Sequence, residues 1–180
     1  MEENQSEKVR QKRIQEMIAD LNSKNERKVI NALKMVPHEG SPEMMEPLFR
    51  LLQEGPNQEI RILLEKTLYN LKDPNCLPAM IDILKNKEHK AMHRDVLNAM
   101  WQSGLEVHDE LELLVTLAIE GDFMTAMEVV TIIEHSEIDD DKALTSSIAR
   151  MDKAVEIKDD KQDLMVSMRQ LLLDKLLGDQ

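Results

Sequence analysis

Aromatic side chains are nearly missing from this 180-residue chain; Phe49, Tyr69, Trp101 and Phe123 are the full set. Few platforms remain on which nucleic-acid bases could stack. Cys76 is the one cysteine, so no intrachain disulfide can form. It stands between Asn75 and Leu77 at an expected helix start, without a neighbouring His or second Cys, and reads as a small apolar filler. Only 5 Gly and 6 Pro occur, and most of them fall between the periodic stretches as punctuation. No run approaches the ~18 apolar residues of a membrane span. Residues 1–13 are charged and no apolar segment follows them, which argues against a signal peptide. These absences together predict a cytoplasmic setting. Gly-rich phosphate loops, GxSxG and HExxH are missing as well. The expectation is therefore a non-enzyme with no catalytic residues, no cofactor and no metal.

What the chain does have is a repeat. Leu21, Leu52, Leu84, Leu117 and Ile148 recur at gaps of 31, 32, 33 and 31 residues. Each lies near the end of an amphipathic helical stretch that a second stretch follows. This period is the signature of stacked helix pairs. Five antiparallel pairs are predicted, spanning roughly 6–36, 41–71, 74–103, 108–135 and 140–177, within one domain over 1–180. Ser23 and Glu26 have capping-box spacing. Ser41-Pro42-Glu43 and Asp73-Pro74 place a cap before a proline at the first helical position. Asn57, Asp122 and one of Asp139–Asp141 fit the same role. Pro37 to Gly40, Gly55-Pro56, Gly104 and Gly121 read as stops.

Residues 46–85 carry a family resemblance. Pro47 and Pro78 sit in first helices, Asn57 in the turn, and Ile60 with Arg61 early in the second helix. This arrangement resembles the HEAT-repeat pattern of the armadillo-type α-solenoids. The resemblance implies an all-α fold, an α-α superhelix (right-handed solenoid), with a binding role and no chemistry of its own. It also implies that Asn57 and Arg61 form an internal polar ladder between repeats. The fourth pair departs from the pattern, having Asp122 but no basic residue.

Charge is the sharpest functional clue. The net charge is −12. Residues 1–94 are net +1 and residues 142–180 net 0, whereas 95–141 hold 13 acids and no Lys or Arg. Concentrated like charge repels itself, and one use for it is to steer a basic partner. Glu106, Asp109, Glu110, Glu112, Glu120, Asp122, Glu128 and Glu134 are the candidate contact residues. The plainer reading is a solvated acidic surface that maintains solubility. Lys8, Arg10, Lys12 and Arg13 give the opposite bias at the first helix. An acidic block on the same chain opposes phosphate binding, so a nucleic-acid partner is not expected.

Smaller signals remain. His89 and His93 are four apart and read as polar surface histidines rather than metal ligands, for want of a third ligand. Asp139–Asp141 lacks calcium-loop spacing. Among 13 methionines, Met44, Met45, Met124 and Met127 are the ones whose exposure would matter. The last helix, with Leu164, Met165, Met168, Leu171, Leu172, Leu176 and Leu177, is apolar on more than one side, and residues 173–177 match LxxLL. The expected function is a protein-interaction module or scaffold holding a protein partner, a basic one, on its acidic surface. The alternative is a self-assembling homo-oligomer using the apolar C-terminal helix. A third reading, an enzyme of the lyase-like helical-repeat type, has the fewest residues in its favour.

Overall fold

The computed structural model describes residues 2–39, 41–105 and 108–178. Among the described residues there are helices and turns but no strand, so the chain is all-α. All five ladder positions are buried, none more than 8% exposed. The chain divides into two compact units, Met1–Gly104 and Leu105–Gln180, where length alone predicts one domain. The divide falls where Gly104, at φ 67, ends a helix in the left-handed conformation.

The first unit holds α1 (Glu2–Leu21), α2 (Glu26–Glu39), α3 (Met45–Gln53), α4 (Gln58–Tyr69), α5 (Leu77–Lys85) and α6 (His93–Ser103). Each odd helix touches the even one that follows it. In addition α1, α3 and α5 neighbour one another in turn, and so do α2, α4 and α6. The result is two rows of helices with a shared core that includes Leu33, Leu48, Phe49, Leu64 and Leu97.

Three starts in this unit differ from expectation. Short 3-10 turns, Pro42–Met44, Pro74–Cys76 and Lys87–Met92, precede α3, α5 and α6. For the first two, sequence supplies the reason. An α-helix running from Pro42 would need an N–H at Pro47, and one from Pro74 would need it at Pro78; proline has none. The capping box is also corrected. The Ser23 hydroxyl accepts from the Asn25 amide at 3.1 Å, and Asn25 then caps α2 by accepting from Arg27 N–H at 3.0 Å. Asn25 is closer to the helix start than Ser23, so its carboxamide takes the free amide.

The second unit holds α7 (Leu111–Glu120), α8 (Phe123–His135), α9 (Asp141–Ala154) and α10 (Gln162–Leu177). Here α7 meets α8 and α9, and α10 meets α9 and α8. Leu114, Val115, Val129, Ile133, Met151 and Met168 form the core. Its polar fastening is lysine. Lys161, 7% exposed, donates from Nζ to the carbonyls of Ala118, Ile119 and Gly121 at 3.1, 2.8 and 2.7 Å. An ammonium thus closes the C-terminal end of α7, where carbonyls lack intrahelical partners. Lys175 does the same after α8, donating to Ser136 O at 2.9 Å.

Candidate functional site

The acidic block is built mainly on α7 and α8 and the turns around them. Asp109 is exposed and Glu110 half-buried in the 3-10 turn His108–Glu110. Glu112 is exposed in the first turn of α7, and Glu120 is exposed at its end. Asp122 is exposed and caps α8, accepting from Thr125 N–H at 2.8 Å and Thr125 O–H at 2.7 Å. Glu128 is half-buried and Glu134 exposed on α8. Glu106 lies outside the described residues. Asp140 is the residue of its triplet that caps a helix, accepting from Lys142 and Ala143 N–H.

The turn that presents α8 is tightly specified. A Cβ on Gly121 would lie 2.6 Å from Leu117 O and 2.8 Å from Thr125 Cβ, so only glycine fits. Lys161 holds the Gly121 carbonyl, and Asp122 caps immediately after it. Arg150 of α9 and Lys161 before α10 reach α7 through backbone carbonyls and the Thr116 hydroxyl. Arg150 donates to Glu112 O at 3.0 Å and to Thr116 Oγ1 at 2.8 Å.

Beside the carboxylates, α8 exposes apolar side chains. Phe123, Met124 and Met127 are 38, 44 and 42% exposed. Met44 and Met45, flagged with them, are core residues at 0 and 1%. Sequence reading missed Phe123. The signal was its place off the buried stripe of Thr125, Ala126, Val129, Ile132 and Ile133. On α10, Val166 and Leu177 are 50 and 70% exposed while Met165, Met168 and Leu172 are buried. That exposed side is where the self-assembly alternative would have to act.

Asn57 and Arg61 make local bonds. Asn57 caps α4 by accepting from Ile60 N–H at 3.0 Å, and exposed Arg61 pairs with Glu65 at 3.3 Å. Both bonds stay within one helix and its cap, rather than spanning neighbouring helix pairs.

A concavity of about 330 Å³ lies in the first unit between the Pro42–Met44 turn and α5. Glu43, Glu46, Asp82 and His89 line it. The Ser41 hydroxyl, and then the Glu43 amide, hold the Glu43 carboxyl below its ordinary range. His89 Nε2 lies 3.8 Å from Glu46, which Arg50 also engages. Among the described residues no group of three His, Cys, Asp or Glu side chains is placed to hold a metal ion. His93 corrects the surface reading. It is 7% exposed, with Nε2 3.2 Å from Asn86 O, because it opens α6 while His89 lies on the preceding 3-10 turn. Burial pushes the Cys76 thiol up to about 11, and the charges of Asp73 and Glu43 act in the same direction, so little thiolate forms near neutrality. No described helix is long and apolar enough to cross a membrane.

No family model, no curated protein and no solved structure matches this chain.

Proposed function

We propose that this chain is a binding module built as an α-solenoid of HEAT-like helix pairs, and that it holds a positively charged protein partner on the acidic surface of α7 and α8. The observation that carries the reading is the coincidence of charge and exposure. Residues 95–141 have no Lys or Arg, and Asp109, Glu112, Glu120, Asp122 and Glu134 are all exposed. The two rows of helices in the first unit, and the α7–α9 and α8–α10 neighbours in the second, are the local contacts a solenoid repeats. Such stacks present extended surfaces, which suit protein recognition better than small-molecule chemistry.

Exposed charge pairs act through solvent and weaken as salt screens them, with a Debye length of about 10 Å at 0.1 M and about 3 Å at 1 M. Partner capture should therefore fall steeply between these salt concentrations. It should fall equally at low salt when Glu112→Lys and Glu134→Lys are combined. A set of bound partners indifferent to both changes would sink the reading.

A further inference from the structure

The side of α8 that faces away from the core is apolar over its first turn and a half. Phe123, Met124 and Met127 fall at i, i+1 and i+4, which one helix face brings together. Glu120 precedes this cluster, and Glu134 lies about 16 Å further along the helix axis from Phe123. The cluster is held in place from below. Gly121 admits no side chain, Lys161 fastens its carbonyl, and Asp122 closes the helix start. An apolar cluster exposed to water and flanked by acidic residues is a candidate contact surface.

Charge complementarity selects the occupant. An anionic lipid surface or a nucleic acid would be repelled by a block of 13 acids without a single Lys or Arg. The same block steers a positively charged partner toward this face and gives an uncharged one no such attraction. A basic segment without apolar side chains would leave the phenyl ring and the two thioethers in water. A helix with Lys or Arg on its flanks and apolar residues three and four apart answers both. Methionine suits such a role because its unbranched thioether adapts to the side chains it meets.

We infer that Phe123, Met124 and Met127 are the apolar anchor of the partner site, and that the occupant is a basic amphipathic helix. This rests on the reading of the acidic block as a site for a positively charged partner, and adds what the partner must carry besides charge. The test uses the full chain with methionine methyl groups labelled for NMR. The probes are a synthetic Leu–Lys amphipathic peptide of about five helical turns, a Ser–Lys peptide of equal charge, and a Leu–Glu peptide of equal apolarity. The Leu–Lys peptide should shift the Met124 and Met127 methyls saturably and leave buried Met44 and Met168 unmoved. Met124→Gln with Met127→Gln should weaken its binding about tenfold.

If the Ser–Lys peptide binds as well as the Leu–Lys peptide, the apolar anchor is overturned while the charge reading stands. If neither binds, both fall. Equal binding of the Leu–Glu peptide removes the basic requirement. Shifts of the two methyls with protein concentration alone would make a second copy the occupant and overturn the proposal. Because the peptides are compared on the unaltered protein, the result does not depend on a variant folding.

Discussion

Lys161 shows how a residue can fasten two helices and yet be invisible in sequence. It ends a charge-rich stretch that also holds Lys153 and Lys158, and nothing in its neighbours marks it. Only the fold shows that its ammonium is buried against three carbonyls of the α7–α8 turn. Burying a cation is unfavourable unless its hydrogens are used, and here three acceptors receive them. Replacement by methionine keeps the stem and strips the donors, leaving buried carbonyls without partners. We expect Lys161→Met to cost about 2–3 kcal/mol. Lys153→Met, at an exposed position, should change stability by less than about 0.5 kcal/mol. Urea denaturation of the two variants checks the contrast. The acidic candidates were the reverse case. Their charge was countable from sequence, but their exposure was not, and Glu110 and Glu128 turn out half-buried.

Among the elements, the helices themselves were the most legible feature. Apolar spacing at three and four residues is intrinsic to an amphipathic helix, and caps and prolines are local chemistry. Asn57, Asp73 and Asp122 cap as expected because the free amides they serve lie only two or three residues away. What sequence hid was the form of the connections. Between α5 and α6 a 3-10 turn intervenes, capped by Asn86, whose side chain accepts from Glu88 N–H at 2.9 Å. His93 then turns inward to the Asn86 carbonyl, tying the start of α6 to the end of α5. Burial disfavours its charged form and lowers its pKa below 6.5. The unfolded chain therefore takes up a proton below about pH 6.5 that the folded one resists. The stability from this group is complete above that pH and declines as pH falls below it. The urea midpoint should drop as the pH falls below about 6.5, ahead of carboxylate protonation near 4. His93→Gln should flatten that part of the profile. A midpoint equally steep in the variant would remove His93 as the cause.

For the whole molecule, the repeat predicted a continuous series of pairs, and the helix count and order follow it. The grouping does not follow from the repeat. Ladder residues mark where each pair buries an apolar face, but they are alike on both sides of Gly104, so they say nothing about where one cohesive body ends. Each unit has buried residues of its own, with Leu64 at 0% exposure in the first and Met168 at 0% in the second. Each set answers to its own lesion. Truncating a fully buried Leu or Met to Ala costs about 2–5 kcal/mol, felt first where the lost contacts were. In Leu64→Ala, amide exchange should accelerate through α2 to α6 while α7–α10 keep their protection. In Met168→Ala the pattern should invert. Exchange read helix by helix under native conditions decides it. If either substitution loosened all ten helices to the same extent, the chain would be one cooperative body, and the proposed site on α8 could not be altered independently of the first unit's stability.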